Sequence, residues 1–516
     1  MKILPPIVGV FISLVLWANP AESQPNERLI PYWHWIQSNL IAQERILQIG
    51  SGNDEDSQYI TNVNIVKLPE GEVRANSAVL IEDGKIAWIG TDLEIPAGMQ
   101  TNRIDGRGRY LSPGLFDMHV HTQNDFGYLL QLSMGVTSIR EMNGDLRLLA
   151  RQQAVNDGEL FIPNMFVVGP ILNSNDLNGF AIAVNTLEEA KAEVRRAAEN
   201  GYQAIKVHNG LANDVFHAIA LESKRVGLPL VGHIPVSVTV AEAIESGMST
   251  AEHFKGYLID NTLQVSTEDW VSASVGMQMF LTPTFSTYRE KLRGEDALDL
   301  LAREGHLVPP FRRVRWLDIA GQEITDKTRL RQAAFSKQEA IFKELISLDL
   351  NWLAGTDAGS YDTLVPGFAL LEELEIMEDF GLPTLEVLKA ATTSAANALG
   401  WQDHVGRVEI GMQADLLLLD ENPLETVSNL RSVSGVMLRG RWIDEPILLR
   451  LTDKDYSNVS DDVTHDALEN AIDTMISIQE RGFPVLENDL RIMGFLSRSS
   501  GFEDLLQKVN DFETPQ

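Results

Sequence analysis

The feature that most constrains the fold is a series of eight short apolar runs that alternate with amphipathic stretches through the middle of the chain. The runs are LFDMHVH, GVTSIREM, MFVVGP, YQAIKVH, LPLVGH, STAEH, MQMFLTPTF and LNWLAGTD. One interval, TLEEAKAEVRRAAENG, has a helical period and closes on Gly201 as a helix C-cap would. The alternation predicts an α/β fold, a (β/α)8 TIM barrel over residues 111–400. The long interval between the last two runs predicts additional helices there.

Short alternating segments on both sides of this region predict β structure. Residues 59–110 contain such segments, with Asp83-Gly84 as a two-residue hairpin signal. A similar pattern returns in residues 401–445. We therefore expect a small β-sandwich domain formed from the N- and C-terminal flanking segments of the barrel.

The outermost parts of the chain have helical patterns. Residues 24–58 combine aromatic and apolar positions at helix-like spacing, which predicts an N-terminal helical segment. Residues 446–516 are expected to form a C-terminal helical extension, because an amphipathic helical spacing recurs there. Its apolar positions are Leu468, Ile472, Met475 and Ile476.

The first residues have the three parts of an export signal. Lys2 gives a basic start, an apolar run extends to Trp17, and small residues follow around Ala21 and Ser23. A membrane anchor is the alternative, but the run contains prolines and is shorter than the roughly 20 apolar residues that span a bilayer. We expect residues 1–23 to be a cleaved signal peptide and the protein to be exported, periplasmic or extracellular.

Composition limits the partners and the chemistry. The net charge is −31, from 73 acidic and 42 basic residues, which argues against a nucleic-acid partner because phosphate binding needs clustered Lys and Arg. We expect a small-molecule substrate and no membrane association after signal cleavage. The composition leaves open whether the protein forms a homo-oligomer. The chain has no cysteine, so disulfides and thiolate ligands are excluded and any metal must be held by nitrogen and oxygen.

Polar residues occupy the ends of five of the eight runs, where the C-terminal ends of barrel strands carry active sites. His119 and His121 are two apart on an extended strand, so both side chains project from one face and can share a metal. Asp357 lies between Gly355 and Gly359, which allow close backbone approach, and it is a candidate ligand and general base, with helix capping as the ordinary alternative. The full candidate set is His119, His121, Lys206, His233, His253 and Asp357.

For two kinds of residue in this set, an ordinary structural role is the alternative to metal binding. His233 and His253 could each be a packed core histidine, although both lie at strand ends in register with the first pair. Lys206 cannot bind a cation while it is protonated, and a salt-bridge lysine is its ordinary interpretation. If its amine reacts with carbon dioxide, the resulting carbamate offers two oxygens that can bridge two metals.

The chain resembles the amidohydrolase superfamily, in the branch of imidazolonepropionase-like proteins and metal-dependent Xaa-Pro dipeptidases. The resemblance rests on SPGLFDMHVH, GVTSIREM, AIKVHNGL, VGHIP, AEHF, LTPTF, LAGTDAG and the segment that runs from LKAATTSAANALGW to ADLLLLDENPL. It implies two divalent metal ions, with zinc expected, and an N-carboxylated Lys206 between them. His119, His121 and Asp357 would bind the buried metal, and His233 and His253 the second.

The same resemblance implies a metal-dependent amidohydrolase that cleaves a carbon–nitrogen bond with a metal-activated hydroxide. A dipeptide, an N-acyl amino acid or a cyclic amide would be the substrate, and Asp357 would handle the proton. Two alternatives stay open. One is hydrolysis of a lactone, phosphotriester or cyclic amidine on the same scaffold, and the other is a non-catalytic ligand-binding barrel.

Three further residues lie close to these motifs. His208, two residues after Lys206, would orient the carbamate, contact substrate or pack in a second layer. Tyr288 is a candidate hydrogen-bond donor to an oxyanion. Arg140 resembles an arginine that recurs at the end of the second strand in the family, and we expect it to form a structural ion pair.

Overall fold

A computed structural model describes residues 29–50, 57–95, 102–122, 124–259, 262–263, 279–308, 310–348, 350–360, 363–452, 463–480, 487–500 and 502–513. The expected signal peptide, residues 1–23, lies outside the described residues. Within the described part of the chain, no helix is both long enough and apolar enough to cross a membrane.

Strands and helices alternate through the middle of the chain, and helices lie at both ends. The strands are β1 (Ser57–Lys67), β2 (Glu72–Glu82), β3 (Lys85–Gly90), β4 (Arg103–Pro113), β5 (Leu115–Val120), β6 (Val136–Glu141), β7 (Asn164–Val167), β8 (Leu172–Asn173), β9 (Ile182–Ala183), β10 (Ile205–Val207), β11 (Leu230–Gly232), β12 (Met248–Glu252), β13 (Leu258–Ile259), β14 (Thr262–Leu263), β15 (Phe280–Thr282), β16 (Asn351–Trp352), β17 (Leu416–Leu419), β18 (Val433–Leu438) and β19 (Arg441–Asp444). The α-helices are α1 (Ile30–Gly50), α2 (Asp125–Ser133), α3 (Leu146–Asn156), α4 (Leu187–Asn200), α5 (Asn213–Val226), α6 (Val240–Glu245), α7 (Glu295–Glu304), α8 (Pro310–Gly321), α9 (Asp326–Ile346), α10 (Phe368–Asp379), α11 (Thr384–Ala390), α12 (Thr393–Ala398), α13 (Glu445–Thr452), α14 (His465–Glu480), α15 (Glu487–Ser499) and α16 (Glu503–Glu513).

The central strands form two parallel sheets. One has the order β5-β6-β7, and the other has the order β16-β15-β12-β11-β10-β8-β9. The strand pairs in both sheets are parallel. Parallel sheets require crossover connections, and helices fill most of the intervals between these strands. The central region is therefore an α/β structure, as the alternating pattern predicted.

Backbone hydrogen bonds join the two sheets at two places. Between β7 and β10, Gln203 N–H donates to Val167 O at 3.0 Å and Gly169 N–H donates to Ala204 O at 2.9 Å. Between β5 and the segment after β16, Met118 N–H donates to Ala354 O at 2.9 Å and Asp357 N–H donates to His119 O at 2.7 Å. A closed eight-stranded barrel needs hydrogen bonds at both of these places. The observed bonds support the closed barrel, which stays a prediction.

Local signals in the sequence correspond to local structure. Helix α4 begins with a capping box between Thr186 and Glu189 and ends at Gly201, whose φ of 90° confirms the predicted C-cap. Asp83 and Gly84 both have positive φ and connect β2 to β3, which confirms the hairpin. Helices α7, α8 and α9 lie between β15 and β16, so the additional helices are confirmed as well.

The flanking β segments share a single sheet. Its order is β19-β18-β17-β4-β1-β2-β3, so strands from both flanks of the central region meet where β17 pairs antiparallel with β4. Both flanks therefore contribute strands to one β structure, and its arrangement as a sandwich stays a prediction. A buried cluster around Ile60, Val79 and Leu416 covers one face of this sheet.

The terminal helices pack together in a core of their own. Trp33 and Ile36 of α1 lie against Leu468 and Ile472 of α14, and the cluster extends to Leu496 of α15. Helices from opposite ends of the chain therefore bury their apolar faces against each other. The same α1 also packs against α2, the helix that follows β5.

Candidate metal centre

The six residues predicted from strand ends lie together in the structure. His119 and His121 are at the end of β5, Lys206 is within β10, His233 directly follows β11, His253 directly follows β12, and Asp357 follows β16. His253 is half-buried, and the other five are buried. Because parallel strands end at one edge, residues far apart in the sequence converge there.

Three of these side chains form a compact set of possible metal ligands. Nε2 of His121 lies 3.3 Å from Oδ1 of Asp357, and Nε2 of His119 lies 3.7 Å from the same oxygen. One potential ligand atom from each of the three residues lies within 4.8 Å of those of the other two. Nζ of Lys206 lies 3.3 Å from Nε2 of His119, which is the ring nitrogen that also faces Asp357. The lysine is therefore next to the triad.

The other two histidines continue this cluster. The ring centroids of His119 and His253 are 4.6 Å apart, and those of His253 and His233 are 4.9 Å apart. Nδ1 of His233 is 2.9 Å from the side-chain oxygen of Asn209, and Nδ1 of His253 hydrogen-bonds the hydroxyl of Thr284. Their Nε2 atoms are the nitrogens that remain for a ligand.

Unusual backbone geometry surrounds two of the six residues. His253 has a φ of 59° and Asp357 a φ of 61°, a left-handed conformation that non-glycine residues seldom adopt. On either side of Asp357, Gly355 packs against the His119 backbone and Gly359 against the carbonyl of His121. The close approach expected from these glycines brings the strand-end loop that carries Asp357 against β5.

Burial controls the protonation of the cluster. It lowers the pKa of all four histidines well below the usual range, which favours the neutral imidazole that binds metals. It also lowers the pKa of Lys206 to about 8, which increases the fraction of free amine. The pKa of Asp357 is raised to about 6 by burial, against the opposing positive charge of Lys206.

The donor set fits divalent cations. It combines neutral imidazole nitrogens with a carboxylate oxygen in a buried place, and it holds no sulfur. An ammonium at Lys206 would repel a cation at this distance, whereas a carbamate on the same nitrogen would attract one. The residues present therefore suit a metal centre, and the lysine suits it in the carboxylated form.

The three neighbouring candidates have different surroundings. The ring of His208 lies on that of His233, with centroids 4.3 Å apart, and its buried Nδ1 has no hydrogen-bond partner among the described residues. The hydroxyl of Tyr288 donates a hydrogen bond to Glu372 at 3.0 Å, so the donor proposed for an oxyanion is already used by a carboxylate. Arg140 pairs with Glu252 at 2.8 Å, which confirms the structural ion pair.

Sequence reasoning missed three residues that contact the cluster. Glu252 accepts from the ring of His119, and Asp117 accepts from the hydroxyl and the backbone N–H of Thr356, next to Asp357. The ring of Phe180 lies 5.7 Å from that of His121 and gives the centre an apolar neighbour. Glu252 and Asp117 stand within two residues of a candidate histidine, which was the one signal available. Phe180 had none.

The chain is similar to known proteins over most of its length. Ochratoxinase of Aspergillus niger is 24% identical over 469 residues, covering 77% of this chain and 88% of that protein. Imidazolonepropionase of Shewanella sediminis is 26% identical over 386 residues, covering 69% and 89%.

Two solved structures share the fold. A bottromycin amidohydrolase has a TM-score of 0.66 at 22% identity and covers 81% of this chain and 95% of its own. A Xaa-Pro dipeptidase with bound methionine has a TM-score of 0.59 at 20% identity and covers 75% and 100%. The model of the amidohydrolase family matches residues 110–443, which is more than half of the chain, and the protein belongs to that family.

Proposed function

We propose that the protein hydrolyses the amide bond of a small substrate, such as a dipeptide, an N-acyl amino acid or a cyclic amide. Family membership makes the chain a hydrolase of carbon–nitrogen bonds. The observation that carries the proposal is the buried triad of His119, His121 and Asp357, with ligand atoms within 4.8 Å of one another. The names of the similar proteins, which include ochratoxinase and a Xaa-Pro dipeptidase, support a small amide substrate.

The proposed centre lies at the mouth of a closed (β/α)8 barrel. His119, His121 and Asp357 would hold one divalent cation, His233 and His253 would hold a second, and a carboxylated Lys206 would offer its carbamate oxygens to both. The backbone joints between the two parallel sheets support the closed barrel, and the ring contacts of His253 with both His119 and His233 support a shared centre.

The chemistry divides between the cations and the side chains. Bound cations, of which zinc suits this donor set, would polarise the substrate carbonyl and lower the pKa of water. Asp357 accepts the proton of the attacking water and transfers it to the leaving nitrogen. The hydroxyl of Ser360 donates to Oδ1 of Asp357 at 2.7 Å, which holds the carboxylate in one orientation.

Asp357→Asn tests the proposal. The amide keeps the shape of the side chain and one oxygen but is a far weaker base, so turnover should fall by about 10²–10⁴-fold while most of the metal is retained. Asp415→Asn is the matched control, because Asp415 is another buried carboxylate and accepts from the backbone of Arg439 in the flanking sheet region. It should keep turnover near that of the wild type.

The assay compares metal-loaded proteins on dipeptides, acyl-amino acids, lactones and phosphotriesters, with metal content measured for every sample. A wild type that prefers C–O or P–O bonds would contradict the amide substrate. Near-normal turnover of Asp357→Asn with verified metal would remove Asp357 from the proton transfer. A wild type that retains no metal and cleaves nothing would leave a non-catalytic barrel as the better description.

We also propose that the protein acts outside the cytoplasm. The basic, apolar and small-residue pattern of residues 1–23 supports this. Expression of the full chain in a bacterial host followed by N-terminal sequencing of the mature protein tests it. An intact N-terminus on cytoplasmic protein would contradict it.

A further inference from the structure

A buried carboxylate contacts the outward-facing nitrogen of one candidate ligand. Oε2 of Glu252 lies 2.8 Å from Nδ1 of His119, and both side chains are fully buried. The other ring nitrogen of His119, Nε2, faces Asp357 and Lys206. Glu252 therefore contacts the histidine on the side opposite to the proposed cation.

This contact determines which ring nitrogen carries the proton. An ionised carboxylate only accepts hydrogen bonds, so Nδ1 of His119 must donate, and Nε2 then has the free lone pair that a cation needs. At His233 and His253 the corresponding partners are an amide and a hydroxyl, which carry no charge. Among these three histidines, the tautomer of His119 is the one that a negative charge fixes.

A buried arginine fixes the carboxylate in turn. Arg140 donates from Nη2 to Oε1 of Glu252 at 2.8 Å, from Nη1 to the hydroxyl of Thr250 at 3.0 Å, and from Nε to the carbonyl of Met118 at 2.6 Å. Because Met118 precedes His119, the guanidinium connects the strand of the histidine to the strand of Glu252. The planar fork of arginine makes these three contacts in one orientation.

We propose that Glu252, oriented by Arg140, is a positioning residue that holds His119 in the Nδ1–H form and thereby sets the affinity of the centre for its first cation. The inference rests on the proposed function, because it requires that His119 bind a metal. It extends the site to two residues that touch neither the cation nor the substrate.

Glu252→Gln separates charge from shape. Three donors contact this carboxylate: Arg140 and the hydroxyl of Thr250 at Oε1, and Nδ1–H of His119 at Oε2. A glutamine has one oxygen and one NH2 group, so it can accept on only one of these two sides. If its oxygen turns to Arg140, its NH2 group faces Nδ1 and favours the Nε2–H tautomer, which cannot bind metal.

The experiment measures the affinity of the metal-free full-length protein for Zn²⁺ and Co²⁺ by competition with a chromophoric chelator. Substitution of a group that supports a metal-binding histidine typically weakens binding 10–100-fold, and we expect Glu252→Gln to fall in that range. The visible spectrum of the Co²⁺ form should change as well, because it reports the ligand geometry. Glu252→Asp keeps the charge and should recover part of the affinity.

Glu304→Gln is the matched control. Glu304 is a buried carboxylate, and both of its oxygens accept from Arg289, which is not one of the six candidate ligands. This variant should lose stability and keep the metal affinity of the wild type. Thermal unfolding of each protein verifies that it is folded.

Two results would overturn the inference: a Glu252→Gln protein that is folded and binds both metals within about twofold of the wild type, or a Glu304→Gln protein that loses as much affinity as Glu252→Gln. A wild type that binds neither metal would instead overturn the proposed function.

Discussion

The close contact between Gly359 and His121 leads to the sharpest prediction. Gly359 has a φ of 101°, and a Cβ placed there would lie 1.8 Å from the carbonyl oxygen of His121. Real Cβ atoms essentially never approach closer than 3.0 Å, so Gly359→Ala must move the backbone of His121 or of its own loop by about 1 Å. Metal–ligand distances tolerate only about 0.2 Å, so such a movement should disrupt binding.

The expected cost has two parts. An L-residue with positive φ costs about 1–2 kcal/mol, and overpacking costs about 1–3 kcal/mol, which gives roughly 2–5 kcal/mol for Gly359→Ala. Gly201→Ala isolates the first part, because Gly201 has a φ of 90° and a Cβ there would meet nothing within 4 Å. Its cost should be about 1–2 kcal/mol, with zinc affinity unchanged.

Denaturant unfolding and zinc competition titration of both variants provide the measurement. We expect Gly359→Ala to lose more stability than Gly201→Ala and at least about tenfold in zinc affinity. If the two variants lose equal stability and both keep wild-type affinity, the contact between the Asp357 loop and β5 does not hold the centre together.

Two further predictions concern stability rather than metal binding. Burial raises the pKa of Glu373 from 4.5 to about 8, so its contribution to stability is complete below pH 4.5 and is lost as the pH rises to about 8. Glu373→Gln, which can still accept from Ser286, should therefore lose less stability than the wild type between about pH 5 and 8 in urea unfolding; an equal loss would contradict this. Leu468→Ala should destabilise the terminal helices by about 2–5 kcal/mol, seen as faster hydrogen exchange in α1 and α14. Leu221→Ala, at a side chain that is 71% exposed, should change stability by less than about 0.5 kcal/mol, and similar exchange in both proteins would argue against a shared helical core.

Strand-end reasoning predicted the convergence of the six candidate residues, because it needs no knowledge of long-range packing. Once the runs are parallel strands of one fold, their C-terminal ends meet at one edge whatever the intervening loops do. The glycines around Asp357 added a local signal for close approach. Both inferences depend on features that each segment carries by itself.

Glu252 escaped prediction for a physical reason. Successive side chains on a strand point to opposite faces, so a candidate ligand at His253 argued against a role for its neighbour. The positive φ of His253 breaks this alternation at the end of β12. Glu252 can therefore contact Nδ1 of His119 while the ring of His253 lies beside the ring of the same histidine.

A single sequence does not predict which segment pairs with a given strand edge or packs on a given helix face. Alternating patterns in both flanks predicted strands, but nothing local specified that β1 would pair parallel with β4, or that β17 would extend the same sheet. The amphipathic pattern around Leu468 likewise predicted a buried face without indicating that α1 covers it. Register and partner depend on segments distant in sequence.

The helices outside the family match contact the loop beside the candidate metal centre as well as forming a core of their own. Helix α2 begins four residues after His121, and its first residue, Asp125, is fully buried and paired with Arg151. From α1, the side chain of Gln43 donates to Oδ2 of Asp125 at 2.8 Å, and the side-chain oxygen of Asn39 accepts from its backbone N–H at 3.0 Å. A buried group that loses such a partner costs about 1–3 kcal/mol, so α1 stabilises the loop that follows the strand of His119 and His121. Since α14 and α15 also pack against α1, both ends of the chain act on this loop through one helix.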